Sequence, residues 1–380
     1  MRRKITLTAA ALAVMVLAAG CSQGGNNAPA DSSKTETVAE TKEETTAAET
    51  KEETTEAPAE TEKEETTEAE TKEASGYKTG LAVVSSMTGS KDAGDSDGNA
   101  QVDSVAAAVV VDEEGKIVSC YLDTAQNKMA FTPDGKVVMK DDFKTKKELK
   151  DDYGMKAASG IGKEWFEQAQ ALEEYVIGKT AEEVAGIPVD ESTKTTDVDL
   201  VAGVTIKIGS YQEAIVEAIN NAQAIGTKEG DKLGLGIITN MDKSKDAEAD
   251  KEGQCQAYST YVAVTTDADG KITAAVIDST QGTVKFDAEG KITSDLTSGV
   301  KTKRQLRDDY GMKAASGIGK EWFEQAAAME EYLVGKTSAE VTGIAVNEDK
   351  KPTEPDLVAG VTISIDGYQV AAVKAMENAK

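Results

Sequence analysis

Hydrophobic and polar positions divide the chain into a polar head and two patterned halves. In the first half, Gly80-Leu81-Ala82-Val83-Val84 and Val105 to Val111 are apolar runs of strand length. Asp112-Glu113-Glu114-Gly115 then leads into Lys116 to Leu122 and predicts a hairpin return. A shorter pair is expected around Pro133-Asp134-Gly135. Beyond it the period changes. Trp165, Phe166, Ala169, Leu172, Tyr175 and Val176 recur at helical spacing, and Gly178 is placed to stop that helix. Thr180-Ala181-Glu182-Glu183 has capping-box spacing for a short second helix, echoed at Thr337 to Glu340. Gly203 to Ile208 predicts a late strand, and Ser210 with Glu213 predicts the cap of a terminal helix through Ile215, Ile219 and Ala222. Strands first and helices after, without βαβ alternation, predict an α+β fold: an antiparallel hairpin sheet, helices, a late strand and a terminal helix.

The whole pattern then recurs. DDYGMKAASGIGKEWFEQA runs from Asp151 to Ala169 and again, unchanged, from Asp308 to Ala326, and DLVAGVT occurs at Asp199 to Thr205 and Asp356 to Thr362. The match extends to SKDA at Ser90 and Ser244 and to the turns at Gly115 and Gly270. Each copy has roughly 145 residues, a single-domain size and far longer than a solenoid unit. Two tandem homologous domains are therefore expected, over residues 76–225 and 230–380.

The head has a different logic. Residues 1–20 open on Arg2, Arg3 and Lys4, continue with a short apolar run and close on small residues before Cys21, the order of an export signal. That ending resembles the lipobox of bacterial lipoproteins, which implies acylation of Cys21 and anchoring to the bacterial cell membrane. Asp31 to Ser75 is nearly all Glu, Thr, Ala and Lys, with about eleven of the net negative charges of the chain, and residues 21–75 together predict a disordered, self-repelling tether. Its coil dimension would be on the order of 40 Å.

Composition removes many functions. The net charge of −26 makes nucleic acid an unsuitable partner, and the absence of histidine removes Ser-His-Asp and Cys-His pairs, histidine haem ligation and the usual zinc sites. Cys120 and Cys255 stand at non-equivalent places in the two copies and form no CxxC framework, although a bridge between them stays open. SGIGKEW fails as a phosphate loop, with Ala157 where a glycine is needed and Glu164 where a hydroxyl should follow Lys163. The acidic runs DAGDSDGNAQVD and DAEADKEG do not complete a calcium loop and are expected to be solvated. No catalytic residue and no metal ligand is assigned. The aromatic residues around Trp165 and Trp322 are expected to be core, with a stacking face for a planar ligand as the alternative.

DLVAGVT is the remaining candidate. Gly203 permits a tight or positive-φ turn, Thr205 displays a hydroxyl just past it, and a helix N-terminus follows. The hairpin with its DGKI-like turn, the Asp-x-x-(Ser/Thr)-Gly-(Ala/Ser)-(Thr/Ser) string and the terminal helix rich in Ala and Val resemble the FMN-binding domain of sodium-pumping quinone reductase subunits and surface redox lipoproteins. By that resemblance Asp199, Gly203 and Thr205, and again Asp356, Gly360 and Thr362, correspond to its FMN-binding string. The resemblance implies FMN joined to Thr205 and Thr362 through a phosphoester made by a flavin transferase. Ala202 and Ala359 stand where the family has Ser or Thr, and Val204 and Val361 where it has Ala or Ser. The expected function is then that of a lipid-anchored electron carrier served by a membrane quinone or NADH reductase. The alternative is a non-redox surface lipoprotein whose tandem copies bind a solute or cell-envelope ligand.

Overall fold

The computed structural model describes residues 76–380, so the expected signal, Cys21 and the tether lie outside the described residues. The first repeat contains β1 (Lys78–Ser86), β2 (Gly98–Val111), β3 (Ile117–Phe131) and β4 (Val137–Val138), followed by α1 (Lys146–Leu149), α2 (Trp165–Val176), α3 (Ala181–Ala185) and α4 (Gly209–Asn220). The second has β5 (Lys232–Asn240), β6 (Gly253–Thr266) and β7 (Ile272–Phe286), then α5 (Lys303–Leu306), α6 (Trp322–Leu333), α7 (Ser338–Thr342), α8 (Pro355–Val358) and α9 (Asp366–Asn378). Both sheets are antiparallel meanders, ordered β1-β2-β3-β4 and β5-β6-β7. The expected α+β class is what is found, with one sheet-plus-helix unit per repeat.

The two halves share a core. On β2, Ala107, Val109 and Val111 face the helices of their own repeat, whereas Ala106, Ala108 and Val110 face Leu233, Leu235, Ile237, Tyr261 and Ala263 of the second sheet. The result is four layers, helix, sheet, sheet and helix. Burial along β2 reports this directly. It alternates from Gly98 to Ser104, where helices leave the outer face open, and is continuous from Ser104 to Val111, where both faces are covered. β6 shows the same pattern. At the far end of the sandwich the rings of Phe131 and Phe286 stack with centroids 4.3 Å apart. Reciprocal bonds flank them: Ala93 N–H donates to Gly290 O at 2.9 Å and Ala247 N–H to Gly135 O at 2.8 Å.

Several local readings hold for physical reasons that can be named. Thr180 and Thr337 accept from the N–H of Glu183 and Glu340 as capping boxes, and Gly178 and Gly335 take positive φ just beyond α2 and α6. Others need correction. Gly203 to Ile208 is not a strand. It is a turn whose one sheet-like contact is an isolated bridge between Lys194 and Lys207. Ser210 does not cap α4, because the helix starts one residue earlier and Ile208 occupies the cap position without a side-chain bond. The acidic run from Asp92 to Asp103 is only partly loop, since β2 begins at Gly98 and buries Ala100 and Val102 between the sheets. Cys120 and Cys255 are free thiols in different cores, the first under the helices of repeat one and the second between the sheets.

Helix α9 lies closer to its sheet than backbone with side chains would allow. A Cβ on Gly234 would stand 1.9 Å from Ala375 O, and one on Gly236 1.9 Å from Ala371 O. Gly234→Ala is therefore expected to lower stability by about 1–3 kcal/mol, the usual cost of overpacking. Urea denaturation checks this, and an unchanged midpoint would show that α9 moves away freely.

Candidate functional site

The DLVAGVT loops are held by one glutamine each. Gln168, fully buried on α2, accepts at Oε1 from Thr205 N–H at 2.8 Å, Thr205 Oγ1–H at 3.2 Å and Ile206 N–H at 3.2 Å. Its Nε2 donates to Ser159 Oγ and Lys163 O, both at 3.1 Å. One residue type thus ties the DLVAGVT loop to the SGIGKEW loop. Glu164 secures the other end, accepting from Met155 N–H at 2.9 Å and Lys156 N–H at 2.8 Å. The second repeat reproduces both devices with Gln325, Thr362, Ser316, Lys320 and Glu321. The long identical string is accounted for by this clamp.

The expected site residues fall into place unevenly. Thr205 and Thr362 are half-buried, each with its hydroxyl on the glutamine. Gly203 and Gly360 do not take positive φ. They are glycines because a Cβ would meet Ala171 Cβ at 3.1 Å and Ala328 Cβ at 2.8 Å, so the requirement is close approach to α2 and α6. Asp199 and Asp356 are exposed. Val204 and Val361 are fully buried in the two helix–sheet cores, and Ala202 and Ala359 are exposed.

The tryptophans offer no open stacking face. Trp165 is 2% exposed and donates from Nε1 to Tyr211 Oη at 3.0 Å, and Trp322 makes the same bond to Tyr368 at 2.9 Å. A lysine of the chain occupies the aromatic surroundings in each repeat. Lys303 Nζ lies 4.6, 4.7 and 5.2 Å from the rings of Tyr258, Tyr310 and Trp322 and donates to Tyr258 Oη at 2.8 Å.

Sequence reasoning missed the two grooves at the seams between the repeats. The first, about 710 Å³, lies where β1 and α4 of repeat one meet β7, α5 and α6 of repeat two. The second, about 440 Å³, is its counterpart where β3, α1 and α2 meet β5 and α9. Each contains a buried aspartate. Asp123 Oδ1 accepts from Thr124 N–H at 2.7 Å and Lys147 N–H at 3.1 Å, and Asp278 Oδ1 accepts from Ser279 N–H and Arg304 N–H at 2.8 and 3.2 Å. Burial raises both carboxyls to about 6 against the opposing pull of Thr145 and Lys147, or Thr302 and Arg304. Beside them Lys147 pairs with Glu173 at 2.5 Å, and Arg304 pairs with Glu330. Burial also raises Glu330. The available signal was the set of charged positions that differ between otherwise matching copies. Among the described residues no group of three metal-ligating side chains converges, and no helix is long and apolar enough to cross a membrane.

Two outcomes follow from these contacts. Gln168→Leu is expected to cost about 1–3 kcal/mol by stranding the amides of Thr205 and Ile206, readable as a lower urea midpoint. The aspartates set a pH dependence. Between pH 3.8 and about 6 the folded carboxyl keeps a proton that the unfolded one has lost, so their stabilising contribution is present below that window and is lost as pH rises through it. The effect is on the order of 3 kcal/mol per group. Melting temperatures of the Asp123→Asn, Asp278→Asn double variant should fall less between those pH values than those of the parent, and an equal fall would place the dependence elsewhere.

Comparison with known proteins gives little cover. No protein-family profile matches the chain, and no solved structure matches it. A stretch of 41 residues is 56% identical to a chlorophenol reductase of Desulfitobacterium hafniense. That stretch is 11% of this chain and spans 12% of the length of that protein.

Proposed function

We propose that this chain is a surface-displayed binding module in which the two repeats act as one body and the ligand occupies the larger seam groove. The observation that carries this reading is the groove itself. At about 710 Å³ it falls in the range of small-molecule sites, with apolar walls from Leu81, Val83 and Val276 and polar groups from both repeats. The chemistry elsewhere suits binding better than turnover. Histidine is absent, and burial raises the thiols of both Cys120 and Cys255, the latter to about 12, which keeps them protonated and inert. An export signal and lipid on Cys21, with the acidic tether behind it, would hold the module outside the membrane. Native mass spectrometry of protein from its producing cell is expected to show a small non-covalent adduct that Ala327→Trp, an exposed groove-lining position, removes. An adduct-free protein, or one whose adduct survives that substitution, would defeat the reading.

A second reading, a flavin electron carrier, is favoured by the environment of the threonine hydroxyls. Esterifying Thr205 with FMN would remove one 3.2 Å bond, while two backbone N–H groups would still hold Gln168 Oε1. Val204 is fully buried in the helix–sheet core, whereas Thr205 is half-buried. The short likeness to a chlorophenol reductase fits a redox setting. A membrane quinone or NADH reductase would be the electron donor, and a flavin transferase would install the FMN. Peptide mapping of the native protein separates the readings. FMN less water on the peptides holding Thr205 and Thr362 supports the carrier, and unmodified peptides reject covalent attachment.

A further inference from the structure

The two seam grooves are the same frame built twice, and the second copy shows what the first lacks. In the smaller groove Lys374 on α9 and Lys380 just beyond it supply two ammonium groups. Lys374 Nζ lies 2.6 Å from Glu148 Oε1 and donates to Ile237 O at 2.9 Å. Lys380 Nζ lies 2.9 Å from Glu173 Oε2 and 5.2 Å from the centre of the Tyr121 ring. The other oxygen of Glu173 is already used, by Lys147 Nζ and by Leu122 N–H at 2.7 Å.

The larger groove repeats this frame with the ammonium groups removed. Arg304 stands for Lys147, Glu330 for Glu173, Asp278 for Asp123 and Val83 for Ile237. The correspondence is fixed by a shared bond: Asn378 Nδ2 donates to Leu235 O at 2.9 Å, and Asn221 Nδ2 to its counterpart Leu81 O at 3.4 Å. Glu330 Oε1 is used as in the other copy, by Arg304 and by Ile277 N–H. Glu330 Oε2, the counterpart of the atom that holds Lys380, accepts no hydrogen bond among the described residues, both bonds of this carboxylate falling on Oε1. Where Lys380 and Lys374 would stand, the chain has Gln223 and Glu217. Thr79 O and Leu81 O on the edge strand β1 accept from Gln223 N–H and Asn221, and by the alternation of an edge strand Val83 O points the same way with no such donor.

The groove therefore presents one carboxylate, Glu330, and one carbonyl, Val83 O, whose counterparts meet a lysine ammonium in the twin, while Gln305 replaces the Glu148 that pairs with Lys374 and Glu217 replaces Lys374 itself. Burial, and then Glu213, raises the Glu217 carboxyl, so a cation placed there would relieve an existing electrostatic cost. An anion would fit poorly. Arg304 already donates to Glu330 and to Ile277 O, Arg307 lies 4.0 Å over the Phe323 ring, and Glu217, Glu330 and Glu331 line the same space. The carboxylates do not converge as a metal site, which leaves an organic cation.

We propose that the larger groove binds a small organic amine, one primary ammonium taking the place of Lys380 on Glu330 and a second reaching Glu217, with a methylene chain along Val83 and Val276. This rests on the binding reading above. The test is calorimetric titration of the full chain in detergent with unbranched diamines of about three to six carbons, and separately with butanedioate. Saturable diamine binding that falls at least ~10-fold in Glu217→Lys and in Gln223→Lys supports the proposal, because each substitution restores an ammonium already present in the twin groove. Circular dichroism of these variants should show the parent fold. Diamine binding unchanged in both variants would overturn the proposal. Butanedioate binding without diamine binding would overturn the amine while leaving the groove as a binding site. Absence of both, together with an adduct-free native protein, would remove the binding reading as well.

Discussion

Burial of sheet against sheet is the constraint on which the rest of the structure depends. Each repeat makes a sheet with two apolar faces and only enough helix to cover one. Left alone, the first repeat would expose Leu81, Val83, Ala106, Ala108 and Val110 as one contiguous patch, of the kind that soluble monomers avoid. The second copy covers it with the matching residues of its own sheet. Alanines at the centre of β2 let the sheets approach, and Phe131 against Phe286 closes the end of the sandwich. Duplication here supplies the missing layer of a single fold, so the two copies do not behave as separate beads offering avidity.

Because the copies face each other, everything at the seam exists twice, and small differences become differences of chemistry. The clamps by Gln168 and Gln325 lie within a repeat and are built from matching residues. The seam positions have diverged: Lys374 answers to Glu217, Lys380 to Gln223, and Tyr121 to Val276. Substitutions inside a clamp would strand buried amides, whereas substitutions at the groove edge meet solvent. The frame is therefore held rigid while the space between the frames is free to specialise.

What was legible in the sequence follows the same division between local and non-local causes. The apolar run of β2, the hairpin turn at Gly115, the helical stripe from Trp165 and the capping boxes at Thr180 and Thr337 are set by neighbours a few residues apart, and each could be read. Gly203 to Ile208 misled because its apolar residues serve the core beneath α2 without any strand to pair with. The acidic run before Gln101 misled because its first residues are loop while Ala100 and Val102 sit between sheets. Thr205 was singled out for the hydroxyl it places just past the turn, but the glutamine that this hydroxyl bonds lies 37 residues upstream, and no local rule points to it. The grooves had no signal within either copy alone, since each needs an edge strand from one repeat and helices from the other.

The energetics of the paired carboxylates give the seam asymmetry its meaning. The Lys374–Glu148 bridge is partly exposed at both ends and contributes at most about 1 kcal/mol. Glu173 is different: its side chain is 4% exposed and is met by two cations, Lys147 and Lys380. A carboxylate so placed is costly unless paired. Its counterpart Glu330 is 14% exposed, has one cation and stands in the same groove as Glu217. Where the twin places Lys374, this groove places Glu217, whose carboxyl is raised by burial and then by Glu213. Both carboxyls here carry a cost of burial and meet fewer cations than Glu173 does, and a ligand of the opposite charge relieves a cost of that kind.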